Sequence, residues 1–269
     1  MRLQVKGGTI PMKNTKMDYT RFGSGPRNLV MLPGLGDGLQ TVKGLAIPMA
    51  WMYREFLKDF TVHMFSRPRV IPQGTTTRDM ARDIKSAMDA LGITKADVFG
   101  VSMGGMIAQW LAIDYPQAVE KLVLVVTSSK PNAILIESVR EWIDQASRGD
   151  HTALMDSNLR RIYSEGYYRK NRWMVPLMGK FTKPKSYTRF LVQAEACLSH
   201  NAYDDLQKIQ AKTLIIGGEQ DHALTGEASY EIAGQIPNGE LKMYQQWGHG
   251  LYDEEKEFNR TIKEWLLLS

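Results

Sequence analysis

Short apolar runs that alternate with helix-like segments constrain the fold of this chain more than any other feature. The run from Leu29 to Leu32 has no polar residue, which is typical of a strand buried on both faces of a parallel sheet. Parallel strands need long crossover connections, so the alternation predicts an α/β fold with a doubly wound, mostly parallel sheet. The runs cover residues 29–32, 60–65, 96–99, 122–126 and 213–216.

Two regions depart from this alternation. The segments from Leu3 to Ile10 and from Lys16 to Phe22 alternate polar and apolar residues, which predicts an antiparallel hairpin. Between 131 and 205 the strand pattern stops, and the apolar spacing predicts helices. They cover 134–147, 152–163 and 187–198, and a stretch with Pro and Gly from Pro176 to Pro184 separates the last two. We therefore expect a core of 1–130 and 206–269 with a helical cap of 131–205.

The heptapeptide 99–105 joins one of these strands to the following helix. Its Gly100-Val101-Ser102-Met103-Gly104 segment fits the G-x-S-x-G nucleophile elbow, in which a serine on a strained turn stands above the sheet. Glycines at 100 and 104 would leave room for that turn against the neighbouring backbone. A Gly-rich phosphate-type loop, or Ser102 acting only as a helix N-cap, remains the alternative.

A serine nucleophile needs a base, and the base needs an orienting acid. His249 lies in a Gly-flanked loop before the last helix, and Asp221 stands just beyond the carboxyl end of a strand. Their order after Ser102 is the Ser, Asp, His order of hydrolases with this elbow. Glu219, nearer the strand end, is the competing acid. The other histidines are less suitable, because His63 lies inside a strand, His151 and His200 lie in the insertion, and His222 only follows a strand.

Four motifs together resemble the α/β-hydrolase superfamily across essentially the whole chain: Leu-Pro-Gly-Leu-Gly at 32–36, Gly-Val-Ser-Met-Gly-Gly at 100–105, Gly-Gly-Glu-Gln-Asp-His at 217–222 and Gly-His at 248–249. The likeness is closest to small esterases, enol-lactonases and non-haem haloperoxidase-like hydrolases. It implies that Ser102 is the nucleophile, His249 the general base and Asp221 the orienting acid. The backbone amides of Leu35 and Met103 are then the oxyanion hole.

The oxyanion loop departs from the family pattern. Family members commonly carry His-Gly where this chain has Pro33-Gly34, so the resemblance defines this loop less closely than the triad. The amide of Met103 has a physical reason of its own, since it opens a helix whose free N–H groups favour a developing oxyanion.

Composition limits the other classes of function. Cys197 is the single cysteine, which excludes an intramolecular disulfide, and no Cys/His cluster has zinc spacing. We expect no metal and no cofactor. The first eight residues lack an apolar signal region, and the longest apolar runs are too short to span a bilayer. These features predict a cytoplasmic protein without a membrane partner.

The net charge of +5 is concentrated in one segment. Residues 157–190 carry nine Lys or Arg side chains and one acidic one, which leaves a charge of −3 for the rest of the chain. No nucleic-acid-binding signature accompanies this run, so we expect no nucleic-acid partner. The run is either a solvated basic face or a basic rim that attracts an anionic substrate.

The sequence thus predicts a cofactor-free serine hydrolase that acts on a small-molecule ester or lactone. Hydrolysis of a carbon–carbon or thioester bond, and a non-catalytic ligand receptor on the same fold, remain alternatives. The cap is expected to cover Ser102 with apolar side chains that line a pocket, or that form only the cap's own core. These side chains are Trp142, Tyr163, Tyr167, Tyr168, Trp173, Met174 and Met178.

Overall fold

A computed structural model describes residues 5–268 and contains an eight-stranded sheet. The strands follow one another across the sheet in the order β1-β2-β4-β3-β5-β6-β7-β8. They are β1 Val5–Pro11, β2 Lys16–Phe22, β3 Arg27–Leu32, β4 Phe60–Pro68, β5 Ala96–Val101, β6 Val119–Val125, β7 Lys212–Gly218 and β8 Gly239–Tyr244.

Strand direction divides the sheet into two parts. The pairs β1·β2 and β2·β4 are antiparallel, and every pair from β4 to β8 is parallel. This confirms the predicted hairpin followed by a parallel sheet, although Leu3 and Gln4 lie outside the described residues. The carboxyl ends of all the parallel strands therefore meet at one edge, where open α/β sheets bind ligands.

Helices cover both faces of the sheet, as a doubly wound fold requires. Val30 and Leu32 of β3 face the core that packs against α2 and α3, while Leu29 and Met31 face the core under α1 and α11. This alternation follows from the period of two along a strand. The helices are α1 Ala46–Met52, α2 Thr77–Ala90, α3 Met103–Asp114, α4 Ala133–Ser147, α5 His151–Ile162, α6 Glu165–Asn171, α7 Val175–Phe181, α8 Thr188–Leu198, α9 Glu227–Gln235, α10 Leu251–Glu254 and α11 Phe258–Leu267.

Five of these helices, α4 to α8, follow β6 before β7 begins. The sequence predicted only three helices there, and it was wrong in treating Pro176 to Pro184 as a separating stretch, because α7 occupies most of it. Pro176 lies in the first turn of α7, where its missing N–H would have no helical partner. A Cβ on Gly179 would lie 2.2 Å from Thr152 Oγ1, so this glycine permits close packing of α7 on α5.

Within residues 5–268, no helix is long and apolar enough to cross a bilayer.

Candidate active site

Ser102 lies at the turn between β5 and α3, at the carboxyl edge of the sheet. Its backbone has a φ of 54° and a ψ of −123°, which is the strained conformation that the sequence predicts for an elbow serine. The two glycines are required by space. A Cβ on Gly100 would lie 2.5 Å from the carbonyl oxygen of Gly104, and a Cβ on Gly104 would lie 1.9 Å from that of Leu32. The turn therefore holds Ser102 in place through close backbone packing.

Asp221 and His249 form a buried pair beyond the ends of β7 and β8. Asp221 Oδ2 lies 2.8 Å from His249 Nδ1, and the two side chains are 2% and 5% exposed. The other carboxylate oxygen accepts the N–H groups of Ala223 at 2.8 Å and Leu224 at 2.9 Å. These bonds fix the carboxylate and make Nδ1 of His249 the protonated nitrogen, so Nε2 is left as the acceptor.

The competing acid points elsewhere. Glu219 is half-buried and accepts hydrogen bonds from Tyr230 and Gln245, and none from His249. The structure therefore pairs His249 with Asp221 rather than with Glu219.

Two other histidines are buried structural residues. His63 Nε2 lies 3.1 Å from Asn28 Oδ1, and burial lowers the pKa of His63 to about 4. His200 contacts Thr77 and Gln109, and burial lowers its pKa to about 3. Both therefore remain neutral at pH 7.

Ser102 and His249 line the same cavity, yet no hydrogen bond joins them. Hydrogen bonds between a nucleophile and its base are often long before substrate binds and tighten in the complex. The structure thus brings the predicted nucleophile and the imidazole that Asp221 orients to one cavity, without a hydrogen bond between Ser102 and His249.

The amides expected for the oxyanion hole belong to Leu35 and Met103, which border one small cavity together with Ser102. Leu35 begins a short 3₁₀ helix, Leu35–Gly38, and Met103 begins α3, so neither N–H has a partner within its helix. Neither amide donates to another described residue. The loop is close to the nucleophile, because a Cβ on Gly34 would lie 3.8 Å from Ser102 Oγ.

A buried arginine that the sequence analysis missed holds this loop. Arg67 is 1% exposed and donates to the carbonyl oxygens of Pro33 at 2.6 Å and Gly34 at 2.5 Å. Its Nε donates to Gln193 Oε1 at 2.9 Å, and it pairs with Asp37 at 3.4 Å. Arg67 thus binds the carbonyl of the 33–34 peptide and that of the 34–35 peptide, whose N–H is the Leu35 amide, which gives the Pro33-Gly34 variant of the loop a defined shape.

Arg189 completes this network from α8. It pairs with Asp37 and donates to the carbonyl oxygens of Asp37, Pro68 and Arg67. The sequence grouped Arg189 with a surface run, but its partners make it a loop anchor. The sequence offers one signal for this network, which is the position of Arg67 just after an apolar run. The contacts with Asp37 and Arg189 could not be predicted, because these residues lie far apart in the chain.

The cavity at Ser102 has a volume of about 340 Å³ and a mostly apolar wall, which also includes Asp37, Gln40 and Asn158. Its floor reaches Met31, Met64 and Phe99 on the face of the sheet under α1. Among residues 5–268, no Lys or Arg side chain lines it. Of the seven cap side chains expected to line a pocket, only Trp142 does so, and Trp173 is 66% exposed.

Four of the nine basic side chains of the run, Arg160, Arg161, Arg169 and Arg189, pair with acidic side chains. Arg161 pairs with Glu137 and Glu141, and Arg160 and Arg169 each pair with a carboxylate on the same helix. The exposed lysines of the run lie outside the cavity wall. None of the nine basic side chains lines the cavity, so the charge of the run does not enter the pocket. In the described part of the chain, no group of three or more His, Cys, Asp or Glu residues could hold a metal ion.

Comparisons with known proteins agree with this architecture. The family model described as the alpha/beta hydrolase fold matches residues 28–256. A 2-hydroxy-6-oxononadienedioate/2-hydroxy-6-oxononatrienedioate hydrolase of Dechloromonas aromatica is 24% identical over 98% of this chain and 94% of its own length.

Two solved structures have the same fold. An alpha/beta hydrolase enzyme from a Medee basin deep-sea metagenome library superposes with a TM-score of 0.85 at 22% identity, over 97% of this chain and 98% of its own. The enol-lactonase of Burkholderia xenovorans superposes with a TM-score of 0.82 at 18% identity, over 97% and 100%.

Proposed function

The chain belongs to the alpha/beta hydrolase fold family, and we propose that it is a serine hydrolase that cleaves a carboxylic ester or a lactone through an acyl-enzyme. The observation that carries the proposal is the shared cavity. A strained serine opens into it, and so does an imidazole whose other nitrogen is held by a buried carboxylate. A ligand receptor would need neither the strain at Ser102 nor the oriented tautomer of His249.

In the first half of the reaction, Ser102 Oγ attacks the carbonyl carbon while His249 Nε2 takes the hydroxyl proton. Asp221 holds the imidazole in the accepting tautomer and stabilises the imidazolium that forms. The free amides of Leu35 and Met103 stabilise the oxyanion of the tetrahedral intermediate. The intermediate then expels the alkoxide, which takes its proton from His249.

In the second half, His249 deprotonates a water that attacks the acyl-enzyme. The same amides stabilise the second tetrahedral intermediate, and Ser102 Oγ leaves with the proton from His249. Every step uses side chains or amides of this chain, and the proposal therefore includes no cofactor. The proposed cap, 131–205, contributes Trp142, Asn158 and Ile162 to the wall of the cavity.

Carbon–carbon bond hydrolysis is the second candidate, because the curated relative is named for a dioate substrate. A compound of that name has two carboxylates and no ester, so its hydrolysis would separate two carbons. No Lys or Arg of residues 5–268 lines the cavity to pair with a carboxylate. Burying an unpaired carboxylate in such a wall would be unfavourable, which supports a neutral ester or lactone over a dioate.

A fluorophosphonate probe tests the proposal directly, since it reacts with an activated serine. We expect labelling of the wild-type protein and none of Ser102→Ala or His249→Ala. Each substitution should also lower ester turnover by about 10⁴- to 10⁶-fold, and the double variant by no more than either alone, because the residues act as a unit. Circular dichroism of the variants provides the control for folding. Labelling of Ser102→Ala, or additive losses in the double variant, would contradict the proposal.

A further inference from the structure

Two cavities of very different size meet at Ser102. The larger has a volume of about 340 Å³ and the smaller about 20 Å³. Leu35, Ser102, Trp142 and His249 border both of them. Both chambers are therefore within reach of the two substituents of a carbonyl carbon bonded to Ser102 Oγ.

The small chamber has room for a methyl-sized group. One water-sized group needs roughly 10–15 Å³ of such space. Its walls include Met106, Leu135, Val139 and Leu224, each at most 4% exposed. A methylene added to this methyl group would have to displace tightly packed core side chains, which resist even small changes of volume.

The large chamber suits a bulky apolar group without charge. It runs along the sheet face past Met31 and Phe99 and under Met49 of α1. Methionine side chains fit ligands of irregular shape because they are unbranched and polarizable. The chamber also reaches the surface at the exposed residues Gly36 and Gln40. A volume of this size is in the range of small-molecule sites, about 300–1,000 Å³.

The order of the two half-reactions assigns the substituents. The alcohol must leave and water must enter while the acyl group is still bonded to Ser102. The leaving alcohol therefore belongs in the chamber that opens to solvent, and the acyl group in the enclosed one. Resting on the serine-hydrolase mechanism above, we propose that the substrates are acetyl esters of bulky, uncharged, apolar alcohols or phenols. Water cleaves the ester bond, and the products are acetate and the free alcohol.

A series of esters with one leaving group tests this assignment. The 2-naphthyl esters of acetate, propionate and butyrate differ only in the acyl chain. We expect kcat/KM to fall by about 10- to 200-fold for each added methylene, as is usual when a pocket has no room for it. Methyl 2-naphthoate, which places the bulk on the acyl side, should be hydrolysed more slowly than 2-naphthyl acetate. A γ-lactone, whose acyl and alkoxy carbons share one ring, should also be slower.

A matched pair of variants separates the two chambers. Val139→Ala enlarges the small chamber and should reduce the acetate-to-butyrate ratio of kcat/KM by about tenfold. Met49→Ala enlarges the large chamber, so it changes absolute rates and leaves that ratio as in the wild type. Titration of active sites with the fluorophosphonate probe corrects for any fraction of unfolded protein.

The outcomes distinguish this inference from the proposed function. A preference for butyrate, for methyl 2-naphthoate or for the lactone would overturn the assignment of the chambers, and so would a ratio that Val139→Ala does not move. Labelling of Ser102 without turnover of the acetate would overturn the substrate class and leave the serine nucleophile in place. No labelling of the wild type would overturn the proposed function as well.

Discussion

An Arg–Asp pair with a buried aspartate lies at the carboxyl edge of the parallel strands and another at their amino edge, and the two pairs have different surroundings. At the carboxyl edge, Arg67 and Asp37 are each 1% exposed, and Arg67 donates to the carbonyls of Pro33 and Gly34. At the amino edge, Arg27 donates to both carboxylate oxygens of Asp97 at 2.8 and 3.0 Å and to the carbonyl oxygen of Leu266 in α11. Arg27 is 34% exposed.

The difference shows that position in the sheet decides what an ion pair does. The amino-edge pair joins β3 and β5 to the last helix, far from any cavity that contains Ser102. The carboxyl-edge pair holds the peptides next to the Leu35 amide and Ser102. We therefore expect substitutions at the amino edge to change stability alone, and substitutions at the carboxyl edge to change catalysis as well.

The largest expected effect on kcat distinguishes two acidic residues at the carboxyl edge, Asp221 and Glu219. Asp221→Asn should lower kcat by about 10⁴-fold, because the amide favours the wrong tautomer of His249. Glu219→Gln, two residues away, should change kcat less than twofold, since the Glu219 carboxylate accepts hydrogen bonds from Tyr230 and Gln245 and not from His249. Steady-state kinetics of the two variants measure the difference, and the reverse ranking would transfer the acid role to Glu219.

The second effect compares the two arginines. Arg67→Met should lower kcat by about 10²-fold, the usual cost of a lost oxyanion donor, with a smaller change in KM. Arg27→Met should leave kcat as in the wild type. Both should also lose roughly 1–3 kcal/mol of stability. Arg27→Met leaves the buried Asp97 without its arginine partner. Arg67→Met leaves the carbonyls of Pro33 and Gly34 without their donor, although Asp37 keeps Arg189. Kinetics at a temperature where both variants remain folded, together with urea denaturation, separate the two roles. Equal kcat values for the two variants would contradict the conclusion that only the carboxyl-edge pair affects catalysis.

The smallest effect concerns the pH dependence of stability near the amino edge. Burial lowers the pKa of His63 to about 4, so the unfolded chain binds a proton below pH 6.5 that the folded chain does not. Stability should therefore fall as the pH drops from 6.5 towards 4, by up to about 1.4 kcal/mol per pH unit from this residue. His63→Gln should remove that part of the slope in urea denaturation and leave the pH profile of kcat/KM unchanged. A shifted activity profile would mean that His63 is coupled to the site.

Local patterns in the sequence were sufficient for the sheet and for the elbow. Apolar runs buried on both faces have a composition that surface strands lack, so the parallel strands β3 to β7 could be predicted one by one, whereas β8 has no such run. The strain at Ser102 was also predictable, because Gly100 and Gly104 mark a place where backbones approach too closely for a Cβ. The resemblance to the hydrolase family supplied the roles of Ser102, Asp221 and His249, which stay proposals until the experiments above are done.

Contacts between distant segments were decided only by the tertiary structure. Arg67, Asp37 and Arg189 lie on three separate elements. The local sequence around any one of them does not predict that it contacts the other two. The helix α7 was hidden because Pro and Gly are read as breakers, whereas close packing on α5 accommodates both. The volumes of the two chambers depend on side chains from separate elements, such as Met31 of β3, Met49 of α1 and Val139 of α4. The sequence by itself determined the sheet and the candidate nucleophile, while packing across long separations decided the shape of the oxyanion loop and the pocket.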